Sequence, residues 1–68
     1  MRELDLFEEA CGEFHGYRLD GERIVVAFKD SCSIVLPRSA QEALKLLKAG
    51  QRVAIVKVTE DCVKVRRV

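Results

Sequence analysis

A proline, a Ser-x-x-Glu pair and a glycine follow one another at Pro37, Ser39/Glu42 and Gly50, and no other stretch restricts the fold of this chain so tightly. Proline lacks the amide that a strand ladder needs, so the run containing Cys32, Ile34 and Leu36 must stop at Pro37. Ser39 and Glu42 have the spacing of a capping box, whose reciprocal hydrogen bonds satisfy two amides left orphaned at a helix start. Ala40, Ala43, Leu44 and Leu47 fall on one face of that helix. Lys45 and Lys48 lie toward its C-terminal end, where the dipole favours cations, and Gly50 supplies a left-handed cap. Beyond it, residues 52–58 and 62–68 predict a hairpin around Thr59, Glu60 and Asp61. Val63 and Val65 then share one face, and Lys64 and Arg66 the other.

Upstream, two kinds of signal alternate. Leu4, Phe7, Cys11 and Phe14 recur three and four apart, which predicts an amphipathic helix with an acidic back. Asp5 and Glu8 would box its start and Gly12 would weaken its last turn. Asp20-Gly21, between residues 17–19 and 22–28, predicts a tight hairpin, because glycine accepts the positive φ that such turns need. Ile24, Val26 and Phe28 alternate onto one strand face. On the next strand Cys32, Ile34 and Leu36 face one way and Ser31, Ser33 and Val35 the other. The expected order is helix, three strands, helix, two strands. It describes an α+β fold: an N-terminal helix plus a small, curved five-stranded antiparallel sheet or barrel, β-β-β-α-β-β. Ala54, Val56 and Val58 are apolar on the face opposite Val53 and Ile55, so their strand needs cover on both sides, from the first helix or a second subunit. A faint echo links Gly21-Glu22-Arg23-Ile24 with Gly50-Gln51-Arg52-Val53.

Sixty-eight residues make one domain, 1–68, near the length at which a lone core outweighs chain entropy. Apolar residues at 49% and charged ones at 34% place the chain among globular proteins. Its apolar runs are short and broken by charge, which excludes a membrane-spanning helix. Met1-Arg2-Glu3 leads into acidic residues and not into the apolar core of a signal peptide, so the expected location is cytoplasmic. Cys11, Cys32 and Cys62, odd in number and widely spaced, do not make a secreted disulfide framework and are expected as small buried hydrophobes. Abundant Lys, Arg, Glu and Val with sparse Asn, Met and Gln are compatible with a thermophile.

Charge is divided unevenly. Residues 1–37 carry four basic and eight acidic side chains; residues 38–68 carry eight basic and three acidic ones. The basic set Arg38, Lys45, Lys48, Arg52, Lys57, Lys64, Arg66 and Arg67 is the best functional lead, since cations that neutralise phosphates release counterions. Within it, Arg38, Arg52, Lys57, Lys64, Arg66 and Arg67 are the expected nucleic-acid contacts. Phe7, Phe14 and Phe28 stand at core-like positions, which leaves no platform for stacked bases. Cys11, His15, Cys32 and Cys62 have the ligand types of a Cys₃His zinc site, but no pair has the close spacing of a zinc signature, so no metal is expected. Cys11 with His15 lacks any group to orient the imidazole or bind an oxyanion. No phosphate-binding loop is present. No cofactor and no catalysis are expected.

Ile34-Val35-Leu36-Pro37-Arg38, the short helix, Gly50-Gln51-Arg52-Val53 and the closing hairpin together resemble the SpoVT/AbrB-like, swapped-hairpin domain over residues 22–68. Residues 2–20 have no counterpart in it. The resemblance implies a homodimer with interlocked hairpins that contacts DNA through basic side chains, and Arg38 matches the basic position after the proline. A second architecture, a monomeric SH3-like or OB-like barrel, is supported by the hairpin at Asp20-Gly21. The expected function is a small non-catalytic binding module associated with DNA or RNA, in its sharpest form a homodimeric DNA-binding regulator. The alternative is a protein-interaction or assembly subunit with no nucleic-acid role.

Overall fold

Strand pairing, not helix packing, organises this chain. The computed structural model describes residues 2–29 and 33–68. In chain order the strands are β1 (Arg2–Glu3), β2 (Glu9–Asp20), β3 (Arg23–Phe28), β4 (Ile34–Pro37), β5 (Arg52–Lys57) and β6 (Val63–Arg67). A 3₁₀ turn, Arg38–Ala40, runs into a single helical turn, α1 (Gln41–Leu44), between β4 and β5. The strands form one curled sheet in the order β1-β4-β3-β2-β5-β6, a half-barrel. All pairings are antiparallel except β1 with β4. From residue 9 onward the succession β-β-β-α-β-β is the expected one. The strands number six and not five, because the N-terminal segment is extended.

That segment is the main correction. The helix expected over Leu4, Phe7, Cys11 and Phe14 is absent; residues 9–13 pair with β5 and residues 14–20 with β3. The helical spacing was an accident of a bulged strand. Ala10, Gly12 and Phe14 face the core, the register shifts between Phe14 and Gly16, and Tyr17 and Leu19 face it thereafter. An extra residue in one strand changes which parity points inward, so strict alternation never shows in the sequence. Gly16 takes φ +151° at the bulge. Gly12 weakens no helix. It lies under the Phe28 ring, where a Cβ would come within 3.1 Å of Cγ and Cδ1, the close approach that strand glycines often mark.

The Asp5/Glu8 box is half realised. Glu8 Oε1 accepts the Asp5 amide at 2.9 Å, and the Glu8 amide donates to the Asp5 carbonyl at 2.9 Å. These bonds close a β-turn instead of a helix, because the Phe7 amide is drawn to the Lys57 carbonyl at 2.6 Å. The Ser39/Glu42 box does not form either: no side chain caps the 3₁₀ turn or α1. Ser39 Oγ donates to the Asp61 carbonyl instead, tying the turn after β4 to the β5–β6 turn across the open side of the half-barrel. The buried stripe is as expected at Ala40 and Leu44, with Leu47 packed against the core.

At Asp20-Gly21 the hairpin forms one residue later than a central Asp-Gly would place it. Asp20 pairs with Arg23, and Gly21, at φ +63°, opens the two-residue loop, the glycine position of a II′ turn. The core joins both halves of the sheet through Leu4, Phe14, Ile24, Val26, Phe28, Ile34, Leu36, Leu44, Val53 and Ile55. The first helix, expected as one cover for the outer face of β5, is absent. Ala54 is 1% exposed there, beneath a bridge from Arg66 to Glu9 that spans β5 at 3.3 Å. Ser31 and Cys32, assigned to strand faces above, lie outside the described residues.

Candidate nucleic-acid interface

The middle of β2 is where three distant segments meet. The Lys29 amide donates to the Glu13 carbonyl (2.9 Å), the Phe14 amide to the Gln51 carbonyl (2.7 Å) and the Gly50 amide to the Phe14 carbonyl (2.8 Å). Glu13 is the register partner of Arg52, and the Val68 amide donates to the Arg52 carbonyl (2.9 Å). Gly50, at φ +96°, provides the turn that returns the chain to β2. These bonds bring the backbones of Lys29, Lys48, Arg52 and Arg67 to one end of the half-barrel, with Arg52, opposite Glu13, on the outer face and Arg67, opposite Val53, on the core-facing one. All four are exposed, and among the described residues none is paired with a carboxylate. Glu13 and His15 are the other ionisable side chains on residues 13–15.

Cations at the opposite end, the mouth of the half-barrel, are held by the protein itself. Arg23 pairs with Glu3 at 2.5 Å and Lys57 with Glu60 at 3.5 Å. Arg38 Nη1 donates to the Gly21 carbonyl at 2.9 Å. Glu3, Glu22, Arg23, Pro37, Lys57 and Glu60 line one shallow depression there. Beside it Glu8 bonds both Arg2 and the Asp5 amide, and these contacts, the backbone bond foremost, hold its carboxyl below the ordinary carboxylate range.

The six expected contacts therefore separate into three places. Arg52 and Arg67 join the basic end. Lys57 and Arg38 lie at the mouth; the Lys57 side chain points inward and is only 14% exposed. Lys64 and Arg66 stand on the outer face of β6, in the rows Glu9–Val56–Lys64 and Cys11–Ala54–Arg66. Arg66 is engaged by Glu9, while Lys64 is exposed with no carboxylate partner among the described residues. Lys29 was missed because it belongs to the acidic half of the sequence, whereas Lys48 was in the basic set but not among the six expected contacts. The signal for Lys29 was its place one residue after Phe28, at the end of a strand.

Of the aromatic side chains, Phe14 and Phe28 are buried and Tyr17 packs against the core. Phe7 corrects the core-like expectation: it is 71% exposed, at the apex of the Asp5–Glu8 turn and next to exposed Leu6. Its φ of +65° is uncommon for any residue but glycine and a few small polar ones. Cys11 is exposed and donates to Glu9 Oε1 at 3.6 Å; Cys62 is exposed in the β5–β6 turn, so neither is a buried hydrophobe. On a strand, Cys11 and His15 stand roughly 13 Å apart along the chain, and they share no helix face. Among the described residues no group of three or more metal-ligating side chains converges, and no helix is long and apolar enough to cross a membrane.

Comparison with known proteins found no matching family model, no similar curated protein and no similar solved structure. The likeness to the SpoVT/AbrB-like domain accordingly rests on the motif residues alone.

Proposed function

We propose that this chain is a small non-catalytic binding module whose basic end associates with the phosphate backbone of nucleic acid. The observation that carries the proposal is the contrast in cation use: Arg23, Lys57 and Arg38 are bonded within the protein, whereas Lys29, Lys48, Arg52 and Arg67, at the other end of the sheet, have no carboxylate partner among the described residues. Backbone contact suits this end better than base readout, since among the described residues no exposed aromatic side chain lies beside it. A homodimer presenting two such ends, as the SpoVT/AbrB resemblance implies, would double the number of contacts.

Fluorescence anisotropy with a labelled DNA duplex tests the reading. Binding should be detectable at about 50 mM salt and should fall steeply as salt rises, by roughly 0.9 in logarithmic slope per phosphate neutralised. Replacing Arg52 and Arg67 together with Ala should lower that slope by about 2, whereas Arg38→Ala with Lys57→Ala should leave it unchanged. An absence of binding at about 50 mM salt would sink the proposal. A second reading, a protein-interaction subunit, is favoured by exposed Leu6 and Phe7 on a turn whose backbone costs energy to hold.

A further inference from the structure

Among the described residues β6 ends the sheet, and one of its two edges has no strand beside it. The register settles which backbone groups face that edge. The Val68 amide bonds the Arg52 carbonyl and the Val58 amide bonds the Cys62 carbonyl at 3.1 Å, so residues 64, 66 and 68 turn their amides and carbonyls toward β5. In an antiparallel pair the hydrogen-bonded positions alternate. Val63, Val65 and Arg67 therefore direct their amides and carbonyls outward, away from β5. On the core-facing side of this edge, Ala43, Leu46, Leu47, Val65 and Arg67 line a shallow groove between α1, the turn after it and β6. Leu46 is 82% exposed there. On the opposite side of the same edge stand Lys64 and Arg66.

We propose that the free edge of β6 takes up an extended peptide segment of a partner protein, in which acidic residues alternate with apolar ones. Such a strand adds to the ladder through the outward amides and carbonyls of Val63, Val65 and Arg67. Its successive side chains then alternate between two surroundings. One set enters the groove against Leu46 and Leu47; the other lies beside Lys64 and Arg66, where a carboxylate finds the unpaired Lys64 ammonium. Charge opposes the simplest rival, a second copy of this chain paired about Val65. An antiparallel self-pairing centred on Val65 would set Lys64 opposite Arg66 twice, and like charges directly opposed destabilise a pair. The site is separate from the nucleic-acid reading, sharing with it only Arg67.

The probe is a labelled, acetylated peptide alternating Glu and Val over seven residues, titrated into the full chain and followed by anisotropy and by amide chemical shifts. Saturable binding should appear, with the largest shifts at Val63, Val65, Arg67, Leu46 and Leu47. Leu46→Glu, at a site too exposed to matter for folding, should weaken binding at least about tenfold. Lys64→Glu should do the same for the Glu-Val peptide and reverse the preference toward a Lys-Val peptide. Absence of saturable binding, shifts centred away from β6, or indifference to Leu46→Glu would each overturn the proposal. So would concentration-dependent dimerisation, by light scattering, that moves the same amides without peptide.

Discussion

The two ends of the half-barrel use the same side-chain chemistry to opposite purposes. At the mouth, Arg23, Lys57 and Arg38 each meet a carboxylate or carbonyl, and even the open side of the sheet is tied by Ser39 to the β5–β6 turn. At the basic end, four cations meet none among the described residues, although the backbone beneath Lys29, Lys48 and Arg52 is hydrogen-bonded. Exposed ion pairs contribute little stability, about 0–1 kcal/mol each. Their effect at the mouth is therefore chiefly to neutralise that surface. The unpaired cluster keeps its field, and a field of one sign draws oppositely charged partners. Charge distribution, more than net charge, separates a neutral surface from a sticky one on a chain whose net charge is only +1.

The change expected to act most strongly strikes both ends at once. Gly12→Ala would press a methyl against the Phe28 ring at 3.1 Å, beneath the point where β3, β5 and β2 meet. Overpacking of this kind costs about 1–3 kcal/mol, and a domain of this size loses roughly 4–8 °C of melting temperature per kcal/mol. Thermal unfolding checks it; an unchanged melting temperature would mean that Phe28 yields freely and that the two halves of β2 are not rigidly coupled. A gentler change sharpens the contrast between the ends. Glu13→Gln removes the carboxylate nearest the unpaired cations in the register, and should strengthen duplex binding by about 0.2–1 kcal/mol. The same measurement on Glu3→Gln, at the mouth, should show no gain.

The smallest effect concerns the mouth and acid. Glu8 is held below its ordinary value of 4.5 by the Asp5 amide, then by Arg2. Because the folded form holds its proton less readily than the unfolded form, Glu8 contributes to stability fully above about pH 4.5, and the contribution fades as pH falls through the lower folded value. Melting curves of the parent and Glu8→Gln should differ slightly at neutral pH and converge below about pH 4.5. A difference that widens in acid would contradict the assigned bonds.

Two capping-box signals illustrate how far local sequence could be trusted. Asp5/Glu8 makes half of its reciprocal bond and yet no helix follows. Ser39/Glu42 makes neither bond, and a helical turn follows all the same. Both pairs were expected to cap helices, and neither does. What each segment becomes depended on a remote carbonyl, that of Lys57 in one case and Asp61 in the other. The cation cluster obeyed the same logic. Arg52 and Arg67 were visible because they lie near Gly50 and the chain end, while Lys29 arrives only through the pairing of β3 with the far half of β2.

From sequence alone came the features that one residue's own chemistry dictates. Pro37 ends a strand, Asp20-Gly21 marks a hairpin, and the Val-rich segments alternate about a turn at Thr59 to Asp61; Gly50 takes its positive φ but closes no helix, since α1 ends at Leu44. Each depends on a missing amide, a permitted positive φ or a period of two, all of which are local. Tertiary structure alone decided that residues 9–20 form one bulged strand and not a helix, that Phe7 is exposed, and which cations stand free. Those outcomes turn on partners distant in sequence, as with Phe7 and Lys57 or Glu13 and Arg52, and no local pattern encodes the pairing of such distant groups.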